Sequence, residues 1–245
     1  MKLEIIGFNI ESCIAAQDAG ANRIELCANP LEGGTTPSYG FIKAAREKLS
    51  IELYVMIRPR GGDFLYSNDE FEIMKKDIEL CKQSGCDGIV LGLLKTDGTI
   101  DKKRCRQLVD YAYPLGVTFH RAFDRTKDPF QSMEDIIEIG CERILTSGLR
   151  PKAIDGVEII KQLILQADDR MIIMPGSGVS SKNITSLAES TGAVEFHSSA
   201  SIFTASNMKY ENESMGEKTG HLVVNKEEVK KMVDLLEQFS NSAIA

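Results

Sequence analysis

The chain carries two histidines and two glutamates inside short apolar segments, where such side chains can transfer protons or bind ions. The segments are Arg-Ile-Glu25-Leu-Cys, Val-Thr-Phe-His120 and Val-Glu195-Phe-His197. An imidazole has an ordinary pKa of about 6.5, so it can serve as a general acid, a general base or a metal ligand. The candidate catalytic residues are therefore Glu25, His120, Glu195 and His197. The two histidines are also candidate metal ligands.

Side-chain alternation along a strand predicts which of these residues face the same side. Glu25 shares a face with Cys27, and His197 shares a face with Glu195. Charged side chains are rarely buried within a strand unless they are paired or line a cavity. Two interpretations stay open, because such residues form either a functional site or a structural ion-pair network, for example between Glu25 and Arg58.

Two arginines indicate a site for an anion. Arg58 and Arg60 lie two positions apart in the segment Met-Ile-Arg-Pro-Arg-Gly-Gly-Asp-Phe, so they share a face, and Asp63 follows in the loop. A guanidinium group binds carboxylate or phosphate through two parallel hydrogen bonds. The segment therefore predicts a binding site for a small anion that includes Arg58, Arg60 and Asp63.

Glycines after a later strand indicate a second part of the anion site. Gly176 and Gly178 follow the apolar segment Met-Ile-Ile-Met-Pro, and Ser199 follows the segment that contains His197. Glycine lets backbone N–H groups approach a ligand, and barrels often bind phosphate in the loops after strands seven and eight. These three residues complete the predicted anion site, although a tight turn before a helix explains the glycines about as well.

A repeated pattern places the candidate residues on strands. A helix-ending glycine, a short step and an apolar strand recur from Gly20, Gly85, Gly140 and Gly192. Each interval can hold two strand–helix units, and the intervening strands are predicted at Leu3–Ile6, Leu53–Arg58, Val117–Phe123 and Met171–Pro175. Eight strands that alternate with amphipathic helices predict an α/β fold, a single (β/α)8 TIM-type barrel. An open doubly wound sheet is the alternative.

The barrel prediction covers the whole chain as one domain, residues 1–245. A TIM-type barrel needs about 250 residues, and no low-complexity linker divides the sequence. The polar stretch from about Ser201 to Asn225 predicts a long loop between the eighth strand and the C-terminal helix. Because these barrels carry their active sites at the C-terminal ends of the strands, we expect the candidate residues to meet there.

Composition argues against several classes of partner. A formal net charge of −7 without a basic stripe argues against nucleic-acid binding. No apolar run reaches the roughly 18 residues of a membrane span, and the first residues lack the apolar stretch of a signal peptide. We therefore expect a cytoplasmic protein that does not bind membranes. The six cysteines show no zinc-binding spacing, and a reducing compartment keeps them as thiols.

Several ordered motifs resemble the CutC family of copper homeostasis proteins. They are Arg-Ile-Glu-Leu-Cys27, Gly-Gly-Thr-Thr-Pro-Ser-Tyr-Gly, Met-Ile-Arg-Pro-Arg-Gly-Gly-Asp-Phe, Val-Thr-Phe-His-Arg-Ala-Phe-Asp, Arg-Ile-Leu-Thr-Ser-Gly and Glu-Phe-His-Ser-Ser-Ala. The resemblance runs from the second predicted strand to beyond the eighth. It implies a cytoplasmic TIM-type barrel that forms homo-oligomers, with a dimer favoured, and that binds copper.

Two functions follow from these patterns. In the first, which the resemblance implies, the protein binds a copper ion through Cys27 as a soft ligand, with His120 or His197 as nitrogen ligands. Cu(I) favours clustered thiolates, and Cys27 is the one cysteine at an interior position of a predicted strand. In the second, the protein is an enzyme for a small anionic, phosphorylated or carboxylated substrate. The two arginines would then clamp the anion while the glutamates and histidines transfer protons.

Overall fold

Strands of the main sheet alternate with helices in the computed structural model, which describes residues 1–216 and 219–242. The strands of the main sheet are β1 (Lys2–Gly7), β2 (Arg23–Leu26), β3 (Glu52–Met56), β4 (Gly88–Leu91), β5 (Gly116–Phe119), β6 (Arg143–Thr146), β7 (Ile172–Pro175) and β8 (Glu195–Ser198). The helices are α1 (Ile10–Asp18), α2 (Tyr39–Lys48), α3 (Asn68–Ser84), α4 (Lys102–Ala112), α5 (Pro129–Ile139), α6 (Val157–Ala167), α7 (Ile184–Thr191) and α8 (Lys226–Ser242).

The eight strands form one parallel sheet that curls into a nearly closed barrel. Their order is β7-β6-β5-β4-β3-β2-β1-β8, and β7 contacts β8 across the remaining gap. Parallel neighbours need a crossover connection, and here a helix lies on the outside of the barrel in each crossover. The predicted (β/α)8 TIM-type barrel is confirmed, and the alternative of an open doubly wound sheet is wrong.

Local sequence signals set the ends of the helices. Ser67 and Glu70 form a capping box at the start of α3, in which each side chain accepts from the other residue's backbone N–H. The same helix ends at Gly85, whose φ of +74° is a backbone conformation that favours glycine. Gly140 and Gly192 end α5 and α7 in the same way, as the sequence predicts.

The N-terminal half of the barrel interior contains a layer of charged side chains instead of the branched apolar residues usual in such barrels. Arg23 of β2 and Arg143 of β6 both donate to Glu195 Oε2, at 3.0 and 2.7 Å. The ring of Tyr54 lies against both guanidinium groups. A Cβ atom on Gly88 would come within 2.3 Å of that ring, so glycine makes the room for it.

Glu195 therefore does not lie where the sequence places it. It is the first residue of β8, so its carboxylate belongs to the N-terminal layer, and the expectation that it lies near the C-terminal end of the strand is wrong. The physical reason is its pairing with two buried arginines, which gives it the surroundings of a structural ion pair.

The predicted long loop after β8 contains an antiparallel hairpin. Its strands are β9 (Ser201–Thr204) and β10 (His221–Val224). The Asn9 side chain donates to the carbonyl of Leu222 at 3.1 Å, and Val224 N–H donates to Ser12 Oγ at 3.0 Å. These bonds hold β10 against the start of α1. None of the helices in the described part of the chain is long and apolar enough to cross a membrane.

The charged layer predicts a large effect of Glu195→Gln on stability. Removing one partner of a buried ion-pair network leaves the others uncompensated, so we expect unfolding free energy to fall by roughly 3–5 kcal/mol. Urea denaturation at pH 7 measures this change. Glu52→Gln is the matched control, because Glu52 also pairs with Arg23 but is partly exposed. A loss for Glu195→Gln no greater than that for the control would contradict the structural role.

Candidate functional site

A cavity of about 1070 Å³ opens at the C-terminal ends of the barrel strands. Its wall includes Glu25 from β2, Arg58 after β3, His120 after β5 and His197 from β8. Leu222 of the hairpin adds part of the rim. This is the end of the barrel at which enzymes of this fold carry their active sites.

His197 lies between two buried carboxylates at one side of the cavity. Its Nδ1 is 2.7 Å from Glu4 Oε1, and its Nε2 is 3.9 Å from Glu25 Oε2. β1 lies between β2 and β8, and its register pairs Glu4 with His197 on one side and with Arg23 on the other. The neighbouring strands β1, β2 and β8 therefore place Glu4, Glu25 and His197 next to one another.

Glu4 was not among the candidate residues, although the sequence contains a signal for it. It is a single acidic residue in the middle of the apolar segment Leu-Glu-Ile-Ile, and it is buried in the structure. A charge at such a position needs a partner. Among the described residues, Glu4, Glu25 and His197 are the one group of three acidic, histidine or cysteine residues whose donor atoms lie within 4.8 Å of one another.

The pKa values of this group are strongly shifted. Burial raises the pKa of Glu25 to about 7, and the charge of Glu4 adds to the effect against the opposing charge of His197. Burial would also raise the pKa of Glu4, but the hydrogen bond and charge of His197 and the charge of Arg23 lower it to about 2. Burial lowers the pKa of His197, and the charge of Glu25 and the contact with Glu4 raise it by more.

His120 is held as a neutral imidazole elsewhere on the cavity wall. Burial, followed by the charge of Arg58, lowers the pKa of His120 to about 3. Its Nδ1 accepts the backbone N–H of Ala122 at 3.2 Å, so the proton is on Nε2. The Phe64 ring packs 4.9 Å away, and a Cβ on Gly92 would lie 2.6 Å from the imidazole, so a glycine is needed there.

The structure corrects one predicted strand boundary, at His120. The sequence predicts a strand over Val117–Phe123, but β5 ends at Phe119 and a short 3-10 turn covers Arg121–Arg125. His120 caps that turn through its own side chain. A local side-chain hydrogen bond therefore ends the strand inside an apolar segment.

Cys27 is buried beside Glu25 and does not line the cavity. Its thiol donates to Glu25 Oε2 at 3.6 Å, and Ile6, Tyr54 and Met56 pack around it. Burial and the charge of Glu25 raise the pKa of Cys27 well above its usual value, so it remains a thiol. The predicted metal ligands Cys27, His120 and His197 do not form one group in the structure.

The two arginines do not form the expected clamp. Arg58 lines the cavity, but its Nη atoms donate to the carbonyls of Glu32, Gly34 and Gly62 at 2.6 to 2.9 Å. Its Nε remains unpartnered. Arg60 lies outside the cavity wall, where it donates to Glu70 at 2.6 Å.

The other predicted anion-binding residues are also divided. Asp63, Gly178 and Ser199 line the cavity. Gly176 lies behind the wall, and its N–H donates to the carbonyl of Thr146 at 2.9 Å. A Cβ on Gly176 would lie 2.4 Å from Leu145 Cδ1, which explains the glycine by packing.

Comparison with known proteins gives one consistent family. The model of the CutC family matches residues 1–202. A CutC family protein of Chromobacterium violaceum is 51% identical over 87% of this chain and 87% of its own length. The mouse copper homeostasis protein cutC homolog is 46% identical over 99% of this chain and 89% of its own. The crystal structure of CutC from Streptococcus agalactiae superposes with a TM-score of 0.77 at 36% identity, covering 81% of this chain and 98% of that one.

The low pKa of His120 predicts a pH-dependent contribution to stability. Between pH 6.5 and about pH 3 the unfolded chain binds a proton that folded His120 does not bind. The contribution is complete above pH 6.5 and is lost as the pH falls towards 3. From pH 7 to pH 5, wild type should lose about 2 kcal/mol more than His120→Gln, because one pKa unit corresponds to about 1.4 kcal/mol.

Urea denaturation of both proteins at the two pH values measures this difference. His221→Gln removes a histidine from the exposed part of the hairpin and should behave as wild type does. If wild type and His120→Gln lose the same free energy, the folded protein protonates His120 as readily as the unfolded chain, and the assignment of a neutral imidazole is wrong.

Proposed function

Since the chain belongs to the CutC family, we propose that it is a copper homeostasis protein that binds a copper ion at His197 and Glu25. Curated mammalian relatives carry the name copper homeostasis protein cutC homolog. In this proposal Nε2 of His197 and the carboxylate of Glu25 are ligands. Glu4 orients the imidazole.

The contact between Glu4 and His197 carries this proposal. Glu4 is ionised and accepts the hydrogen bond from His197 Nδ1, so Nε2 is the nitrogen that faces Glu25 and that would release its proton when a metal binds. Metal-binding histidines usually donate their second ring N–H to a carboxylate in this way, which fixes the tautomer and orients the ring.

The donor atoms of the proposed site favour one oxidation state of copper. Imidazole nitrogen and carboxylate oxygen suit Cu(II), whereas Cu(I) selects thiolates and thioethers. Cys27 lies next to Glu25 and is the nearest soft donor, but its thiol is buried and holds its proton. The residues at the site therefore fit Cu(II) better than Cu(I).

This proposal predicts which variants lose copper. His197→Gln and Glu25→Gln remove ligands, and Glu4→Gln removes the orienting carboxylate. We expect Glu4→Gln to lower Cu(II) affinity by about 10–100-fold and the ligand variants by at least as much. Competition with a chromogenic Cu(II) chelator measures the affinity.

His120→Gln is the matched control, because His120 lines the same cavity but lies outside the group of Glu4, Glu25 and His197, which we call the carboxylate–imidazole group. It should bind Cu(II) as wild type does. Cys27→Ala, titrated anaerobically with Cu(I), tests the soft-ligand alternative. Loss of Cu(I) binding in Cys27→Ala together with unchanged Cu(II) binding in His197→Gln would place the metal at Cys27 instead.

A second candidate function is an enzyme for a small anionic substrate. It is favoured by the volume of the cavity, about 1070 Å³, which suits an organic molecule and greatly exceeds the space that one ion needs. A carboxyl group and two imidazoles in one wall are groups that can transfer protons. Incubation in D2O with candidate substrates, followed by NMR, tests for exchange at carbon.

We also propose a cytoplasmic location and a homodimer. All six cysteines are free thiols, as in proteins of reducing compartments. Ile202 and Phe203 of β9 are 47% and 57% exposed, and Met208 and Tyr210 beyond that strand are exposed as well. Exposed apolar groups of this kind often mark an interface between subunits.

The dimer proposal predicts the mass in solution. Light scattering after size exclusion should give twice the 27.0 kDa of one chain for wild type. Phe203→Ser should shift the protein towards the single-chain mass. Leu165→Ser, at an exposed apolar residue of α6 far from the hairpin in sequence, is the control and should stay dimeric. A wild-type mass of one chain would refute the dimer.

A further inference from the structure

We propose that the cavity binds a small hydroxycarboxylate, whose carboxylate lies against His120 and Arg58 and whose hydroxyl group donates to Glu25. This inference rests on the second candidate function, since it names the class of molecule that such a site would take. It shares Glu25 with the proposed copper site, but its other two groups, Arg58 and His120, lie outside the carboxylate–imidazole group.

Unpartnered polar atoms carry the inference. Within residues 1–216 and 219–242, four buried side-chain nitrogen or oxygen atoms have no hydrogen-bond partner. Three of them, Glu25 Oε1, Arg58 Nε and His120 Nε2, belong to residues that line the cavity. Buried polar groups in proteins are nearly always paired, and an exception needs an explanation. A ligand that pairs with all three explains why they are gathered at one cavity.

Two of these atoms are donors and demand an acceptor. His120 Nδ1 accepts from Ala122, so its Nε2 carries a proton, and the guanidinium of Arg58 can only donate. Both residues lie against the ring of Phe64, Arg58 at 5.1 Å and His120 at 4.9 Å from the ring centre. Two donors beside one ring, one of them cationic, suit the two oxygens of a carboxylate. They cannot hold a metal cation.

The third atom is a carboxyl oxygen, and a hydroxyl group suits it because a hydroxyl can donate to the ionised form and accept from the protonated form. Glu25 Oε2 already accepts from Cys27, whereas Oε1 is free. Glu25 is on β2 and His120 follows β5, with β3 and β4 between them in the sheet. The two groups therefore lie on well-separated parts of the wall. A ligand that reaches both needs several atoms between its carboxylate and its hydroxyl group, as in a sugar acid.

Calorimetric titration of the metal-free protein, prepared with EDTA, tests the proposal with three probes of increasing length: glycerate, threonate and gluconate. At least one should bind. Sorbitol, which lacks the carboxylate, and hexanoate, which lacks the hydroxyl groups, should bind at least about tenfold more weakly, the ratio expected from losing one charge-assisted hydrogen bond.

Two variants test the assigned contacts. His120→Leu removes one donor and Glu25→Gln changes the acceptor, and each should weaken the bound probe about tenfold. Thr96→Ala, at an exposed position of the same wall and without an assigned contact, should bind as wild type does. Thermal unfolding of each variant shows whether it is folded. If His120→Leu does not fold, Glu25→Gln still tests the proposal.

The possible failures are distinguishable. If inorganic phosphate or sorbitol binds better than every hydroxycarboxylate and is lost in His120→Leu, the small-molecule site stands and the ligand class is wrong. If nothing binds, both the ligand class and the second candidate function fail. The copper proposal is tested by copper titration of the EDTA-treated protein without any of these probes, so neither result above decides it.

Discussion

The carboxylate of Glu4 connects the two polar layers inside the barrel, and the arrangement of both depends on it. One of its oxygens accepts from Arg23 at 3.2 Å in the N-terminal layer, while the other contacts His197 at 2.7 Å at the cavity. Its low pKa keeps it ionised over the whole physiological range. A structural network of ion pairs therefore supplies the negative charge that sets the tautomer and orientation of His197.

This connection has a consequence for the cavity. Glu4 and Glu25 are close enough for the charge of one to raise the pKa of the other. Because His197 and then the arginines of the N-terminal layer stabilise the charge on Glu4, Glu4 stays ionised, whereas burial raises the pKa of Glu25. The two glutamates thus differ in pKa because the charged groups around them differ. Glu25 is the one that faces the cavity.

The sequence allowed most of the fold to be predicted, because the signals for it are local. Apolar segments and helix-ending glycines such as Gly85 and Gly140 mark strands and helices without knowledge of distant contacts. The hairpin after β8 escaped prediction because its connection is long and polar. The end of β5 was misplaced because His120 caps the next turn through a side chain that hydrophobicity does not describe.

The candidate site was predictable only in part, for a geometric reason. Alternation along a strand tells which side chains face the barrel interior, and it correctly grouped Glu25 and His197 as interior residues. It does not give the height of a residue along the barrel axis. That height depends on the register between strands, which pairs Glu4 with His197 and leaves Glu195 one layer lower. Alternation alone therefore could not show that Glu195 lies outside the cavity wall or that Glu4 contacts His197 of that wall.

Arg58 links two loops at the mouth of the cavity to each other. Its guanidinium binds carbonyls at Glu32 and Gly34 after β2 and at Gly62 after β3, so the two loops are fastened to one rigid planar group. Neither loop can swing outward without breaking bonds to a buried cation, and the two must move together as one flap. Exchange of a bound molecule with solvent past this part of the rim therefore requires these hydrogen bonds to break.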